Sequence, residues 1–186
     1  MADAFQQYCR EVREQVKKET PDLGYNDMTK ELDKRWNNEE DKTKWEHAAQ
    51  AYVFRAKVRA GELAGVKGLL KENPKFESVV NQPSETLRAW TPLHTAVWGT
   101  QKPQYDKDII EQILAAAKKA GNGAEAQARA AKDALDGALP LDLAKQRMAK
   151  HEENPPKPGS DENAYLDEKR KLEKVIEWLE KGLPAS

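Results

Sequence analysis

Apolar side chains recur at intervals of three and four along almost the whole chain, and no stretch shows the strict alternation of a strand. Phe5, Tyr8, Val12 and Val16 form a first stripe with Cys9 beside it, and the run stops ahead of Pro21. A second helix is predicted to start at Asn26, with Asn as N-cap, and to carry Met28, Leu32 and Trp36 on one face. Asn37 and Asn38 break it. Asn38 is then predicted to cap a third helix that opens on Glu39, Glu40 and Asp41, where the helix dipole favours acids. Trp45, Ala48, Ala49, Tyr52, Val53 and Ala56 continue that helix.

Past residue 52 the helices shorten and turn residues separate them. The string 59–74 predicts a helix end, a Gly turn and a helix with Leu63, Val66, Leu69 and Leu70 inward. A polar loop is predicted next, followed by helical patterns at 90–99, 109–121, 136–147 and 172–182. The Ala-rich run 123–135 predicts an added helix or an extended insert, and 152–163 predicts a flexible loop. The chain therefore reads as all-α.

Composition narrows the class. The chain is 34% charged and 38% hydrophobic, so small cores in thin helical layers are expected. One cysteine, Cys9, allows no internal disulfide. No basic leader with an apolar run precedes residue 12, and runs such as 113–117 are too short to span a bilayer. A chain that is neither secreted nor in a membrane is expected. Net charge is −1, and residues 1–60 hold 12 Lys/Arg against 12 Asp/Glu, which is no strong electrostatic footprint for nucleic acid.

His47, His94 and His151 have no metal-ligand spacing to one another or to Cys9, and no phosphate-cradling Gly-rich loop is present. His94 reads as a structural cap and Cys9 as a small side chain on an apolar stripe. An enzyme, a metal site and a cofactor are not expected.

Ala4-Phe5, Tyr8, Arg13, Pro21 to Leu23, Leu32, Trp36-Asn37-Asn38, Asp41-Lys42 and Tyr52 stand in the order and spacing of an HMG box, and about the first 55 residues resemble that family. The resemblance implies three helices in an L, held by a cluster of Phe5, Tyr8, Trp36 and Trp45. It also implies DNA binding in the minor groove with side chains wedged between base steps. The primary wedge position is Gln6, where such boxes usually carry a bulky apolar residue, and the secondary one is Tyr25. Arg13 and Lys30 match basic positions of the family, and Arg10, Lys17, Lys18 and Lys34 would add phosphate contacts. The chain begins Met1-Ala2-Asp3 where such boxes usually carry a basic, Pro-containing strand, and the box is charge-neutral, so counterion release is small and binding is expected to be weak and not sequence-specific.

Thr91-Pro92-Leu93-His94, followed by Ala96, resembles the signature of ankyrin repeats; 139–144 is a degenerate second copy and 59–70 matches the Gly turn and second helix. Aligning Phe54, Leu93 and Leu141 suggests about three irregular repeats. The domains expected are an HMG-box-like module at 1–55 and a short ankyrin-like stack at 56–186, with no Gly or Pro linker between them. Trp90, Trp98, Gln101 and Tyr105 would form the protein-binding surface of that stack. Acyl-CoA-binding domains also precede ankyrin repeats, which gives acyl-chain binding as a third reading.

The leading expectation is a nuclear, chromatin-associated protein with DNA and a protein as partners. The alternative is a nuclear or cytoplasmic adaptor whose box no longer binds DNA.

Overall fold

The computed structural model describes residues 3–72, 74–156 and 161–184, and every regular element among them is helical. The chain divides into two compact units, Met1–Val53 and Phe54–Ser186.

In the first unit α1 (Ala4–Glu19) packs along α2 (Tyr25–Asn37), and the start of α3 (Thr43–Arg59) completes the core. Asp3 caps α1 by accepting the Gln6 N–H at 2.7 Å. Tyr8 is the centre of the aromatic cluster. Its ring lies 5.2 Å from Trp36 and 5.1 Å from Trp45, edge-on to the latter, while Phe5 lies 5.7 Å from Trp36. Val16, Met28 and Leu32 extend the core, with Leu23 and Val12 partly covered beside them. Burial pushes the Tyr8 hydroxyl up from its ordinary pKa, with Glu39 adding to the shift, and burial likewise pushes the Cys9 thiol up.

Two helix starts differ from the sequence reading. Helix α2 begins at Tyr25 behind Gly24, not at an Asn26 cap. Helix α3 begins at Thr43, because the Asn38 and Glu39 N–H groups close the end of α2 onto Arg35 and Trp36 carbonyls. Glu39, Glu40 and Asp41 therefore precede the helix instead of forming its first turn. Asp41 accepts the Thr43 N–H at 3.1 Å, and Glu39 pairs with Lys44 at 3.3 Å.

The second unit is built from helix pairs. The end of α3 supplies Phe54 and Val58, and α4 (Leu63–Lys71) returns after a turn at Gly61. Gly61 has φ +66°, and a Cβ there would lie 2.7 Å from that of Lys102, so no other residue fits without displacement. The stretch predicted as polar loop contains one π-helical turn, Phe76–Val80, closed by the Asn81 N–H on the Phe76 carbonyl at 2.7 Å. Phe76, Val79 and Val80 are buried, since three apolar residues in five have a core to enter.

Next come α5 (Pro92–Trp98), a 3-10 turn at Pro103–Tyr105, α6 (Asp106–Ala120), α7 (Ala124–Arg129), α8 (Pro140–Glu152) and α9 (Glu162–Lys181). Helix α5 packs on α6 and α8, α8 on α9, and α6 on α4, α7 and α9. The Ala-rich run is thus a two-turn helix followed by turns. Helix α9 starts ten residues earlier than the apolar pattern suggested, because Asp161 caps it by accepting the Asn163 and Ala164 N–H groups. Of the predicted loop 152–163, residues 157–160 lie outside the described residues.

The Thr91–His94 pair forms a complete capping box. Thr91 Oγ1 accepts the His94 N–H, and the Thr91 N–H donates to His94 Nδ1 at 3.3 Å. With Nδ1 accepting, the proton sits on Nε2, which donates to the Ala138 carbonyl at 3.2 Å. The second copy of the motif lacks that reach: Asp142 accepts the Leu139 N–H at 2.8 Å, and Leu139 has no side-chain acceptor to reciprocate. Asp133 organises the intervening loop. Its Oδ1 accepts the N–H groups of Leu135, Asp136, Gly137 and Ala138, and its Oδ2 takes Arg88 at 2.8 Å and the Trp90 indole at 3.2 Å. Partial desolvation works against the Asp133 carboxylate, yet these donors hold its pKa well below the usual range.

Arg147 is a further tie. It donates to the Val97 carbonyl at 2.8 Å and to Asp106 at 2.9 Å, and pairs with Glu168 at 3.2 Å. Burial pushes the Asp106 carboxyl up, opposed by Thr100 and Arg147.

Two outcomes follow from these contacts. Trp45→Ala removes a ring from a core of only a few side chains, and is expected to cost about 3–5 kcal/mol, comparable with the whole stability of so small a unit. A urea melt should lose the first unit's transition, and an unchanged melt would contradict the role given to the cluster. Burial holds the His94 imidazole below its ordinary pKa. The unfolded chain takes up that proton as pH falls through about 6.5 while the folded one resists, so the stability linked to His94 is full above that pH and lost below it. The second unit's melting temperature should fall from about pH 7.5 to pH 5.5 in the native chain and less steeply in His94→Gln. Equal slopes would remove His94 from the account.

Candidate functional site

The residues singled out for nucleic acid lie on α1 and α2 of the first unit, all exposed. Gln6, Arg10, Arg13 and Lys17 belong to α1; Tyr25, Lys30 and Lys34 belong to α2. Gln6 points its side chain toward solvent while its neighbour Gln7 is fully buried and donates to Glu11 at 2.6 Å. The AlaPhe-Gln-Gln stretch therefore has one polar residue on each side of the helix wall, and only the first is available to a ligand.

Tyr25 is 79% exposed at the first position of α2, the most exposed aromatic side chain among the described residues. Phe5, Tyr8, Trp36 and Trp45 are held in the cluster, so Tyr25 is the aromatic ring of α1 and α2 left outside it. An exposed ring at a helix start has few intramolecular contacts to lose on stacking against a base.

The cations differ in how they are engaged. Lys17 pairs with Glu14 at 3.0 Å and Lys30 with Asp27 at 3.1 Å, both on exposed helix faces where such pairs exchange readily with water. Arg10 lies with its guanidinium carbon 4.3 Å from the centre of the Tyr52 ring. Among the described residues Arg13 and Lys34 form no ion pair with an acid. Arg35, by contrast, is tied to Glu19 at 2.8 Å and Glu31 at 2.7 Å; its hydrogen bond holds the Glu31 carboxyl below its ordinary pKa, and Gln15 followed by Arg35 does the same for Glu19. It is the one cation of α1 and α2 that sequence reasoning left out, and its partners give it a structural place.

In the second unit, Trp90 and Trp98 meet with ring centres 5.8 Å apart, and Trp90 stacks nearly parallel to His94 at 6.4 Å. Lys150 lies 4.8 Å over Trp98 and Arg88 5.8 Å over Trp90. Trp98 and Tyr105 are about two-fifths exposed, and Gln101 is exposed with its N–H on the Arg59 carbonyl at 3.0 Å. The sequence reading missed Arg88, Asp133 and Lys150, which frame the two tryptophans. The string Asp133-Ala-Leu-Asp-Gly137 did carry a signal for the Asp133 loop, since Asp side chains bond nearby backbone N–H groups and Asp-Gly marks a turn.

Among the described residues no group of three or more His, Cys, Asp or Glu is placed to hold a metal ion, and no helix is long and apolar enough to cross a membrane. No curated protein and no solved structure matches the chain. Residues 2–60 match the family model of the HMG (high mobility group) box, and the match supports an N-terminal HMG-box domain.

Proposed function

We propose that the protein is a non-enzymatic, chromatin-associated DNA-binding protein that acts in the nucleus. Its N-terminal HMG-box domain would grip DNA in the minor groove by shape rather than by sequence, and its second unit, read as about three irregular ankyrin repeats, would hold a protein partner. HMG boxes bend DNA by inserting side chains between base steps. The observation that carries the DNA reading here is Tyr25, exposed at the start of α2 while the other aromatic rings of α1 and α2 are packed.

Arg13 and Lys34, without ion pairs to acids, are the side chains readiest to meet phosphates. Arg10, Lys17 and Lys30 would join them at the cost of exposed local contacts. Affinity is limited by two features. Gln6 supplies little apolar surface at the primary wedge position, and 12 acids balance 12 Lys/Arg within residues 1–60.

The ankyrin reading rests on the Thr91–His94 box, the His94 bond to the Ala138 carbonyl ahead of the next helix pair, and the pairing of α5 with α6 and α8 with α9. The Trp90, Trp98, Gln101 and Tyr105 surface would then receive the partner. The same polar Gln6 and balanced charge favour the second reading, an adaptor whose box has kept its fold and lost its DNA contacts.

Anisotropy titration of a labelled four-way-junction DNA at low salt separates the two. Binding is expected in about the micromolar range, weakened roughly tenfold by Tyr25→Ala and strengthened by Gln6→Phe, which restores an apolar wedge. Absence of binding at tens of micromolar protein on this order-of-magnitude scale leaves the adaptor reading. For the second unit, a partner recovered by affinity capture should be lost with Trp98→Ala and retained when Arg13 and Lys30 are reversed to Glu. The opposite pattern would place the partner on the box.

A further inference from the structure

We propose that the open trough between α4 and α6 docks an acidic amphipathic helix of a protein partner. This surface shares no residue with the Trp90–Trp98 face and does not depend on whether the box binds DNA.

The trough has a volume of about 840 Å³ and lies wholly within the second unit. Its floor is apolar. Leu70 from α4, Phe76 and Val80 from the π-helical turn, and Ala115 and Ala116 from α6 line it. The alanines matter because they leave α6 shallow along one face: Gln112, Ala115, Ala116 and Lys119 recur at helical spacing, with only Cβ atoms in the middle.

The rim is basic. Lys67 and Lys71 stand one turn apart on α4, Lys75 follows on the connection, and Lys119 faces from α6. Among the described residues no acid lines the trough, although Glu72 and Glu77 lie close by in sequence. Among the described residues none of the four lysines forms an ion pair. Elsewhere, among the described residues, ten lysines do pair with an acid. Lys118, by contrast, is engaged with the Leu183 and Pro184 carbonyls, and so belongs to the C-terminal tie rather than to the rim.

Four cations around an apolar floor select a ligand with the opposite distribution, an apolar stripe flanked by carboxylates. The trough is half open, whereas a small anionic amphiphile needs most of its surface enclosed to bind well. A helix laid lengthwise keeps its own backbone bonds satisfied and offers one face to the floor, which suits an open groove between two helices. Its Asp or Glu residues would reach Lys67, Lys71, Lys75 and Lys119 from both edges.

The test uses the full chain and a labelled peptide of about five helical turns with Leu on one face and Glu on the other. Saturable binding is expected at about 10–100 µM in low salt, falling as salt is raised. Lys71→Glu combined with Lys119→Glu should weaken it about tenfold and should make a Lys-for-Glu version of the peptide bind more tightly than it binds the native chain. A misfolded variant would lose both peptides, so the exchange of preference distinguishes lost charge from lost fold. Ala115→Trp, which fills the trough without changing charge, should weaken the acidic peptide by a similar factor with an unchanged circular dichroism spectrum. Equal affinity for the acidic and basic peptides, indifference to the double reversal, or capture of anionic phospholipid vesicles that the peptide does not compete away would each overturn the proposal.

Discussion

Tyr8 presents its ring to Trp36 and its edge region to Trp45, and through those two contacts α1, α2 and the start of α3 are fixed to one another. Few other side chains can substitute for it. The first unit buries Val16, Met28 and Leu32 beyond the rings, and most of its remaining surface is charged. Aromatic rings concentrate a large buried area into single positions with defined geometry, which lets a small domain keep a unique arrangement when its apolar supply is short. The cations at the edge belong to the same arrangement: Lys42 and Lys44 lie about 5 Å over Trp36 and Trp45, covering indoles that would otherwise meet water. The positions left for a ligand are those the cluster does not use, which is why Gln6 and Tyr25 stand outside it.

The second unit has the larger core and a different economy. Several of its helices are short, with seven residues in α5 and six in α7, and helices of that length have no stability of their own. Side chains reaching the backbone tie such helices and the loops between them together. His94 joins the cap of α5 to the chain entering α8, Asp133 gathers four backbone N–H groups into one loop, and Arg147 ties the end of α5 to α6 and α9. These polar groups are buried or partly so. They stabilise only as complete sets, because each partner left alone would keep its desolvation cost. Trp90 of the proposed partner face is held by one of these sets, through Asp133, while Lys150 lies over the ring of Trp98.

Legibility in the sequence follows this division. The ring cluster was legible through the resemblance to an HMG box, which implies that Phe5, Tyr8, Trp36 and Trp45 meet, while periodicity alone puts them on separate helical stripes. The Thr91–His94 cap was readable because cap, Pro and histidine stand in fixed order. The start of α3 was misread because Glu39, Glu40 and Asp41 suit a first helical turn locally. What decides the start is the end of α2, where backbone groups of Asn38 and Glu39 are already committed. The π-helical turn at Phe76–Val80 has no periodicity to detect in five residues, and its burial is imposed by packing against α6. Arg147 and Asp133 act across forty or more residues, and composition gives no hint of such long-range ties.

Charge balance in the box has a consequence that net charge alone conceals. With 12 Lys/Arg and 12 Asp/Glu in residues 1–60, the long-range field that steers a protein to DNA is nearly absent. Short-range contact is a separate matter, because the cations are not equally committed. Arg35 is held by two carboxylates, whereas Arg13 and Lys34 are engaged by none among the described residues, and Lys17 and Lys30 hold only exposed neighbours. On the proposed reading such a surface would attract weakly from a distance and rearrange locally once a phosphate is near, since breaking an exposed pair costs about 0–1 kcal/mol. Selectivity would then come from what the DNA must do rather than from charge. A duplex already bent or open at a junction spares the unstacking that Gln6 cannot offset, and leaves Tyr25 a face to stack against. On the proposed reading, a charge-balanced box whose most exposed ring is Tyr25 would recognise distorted DNA better than it distorts it.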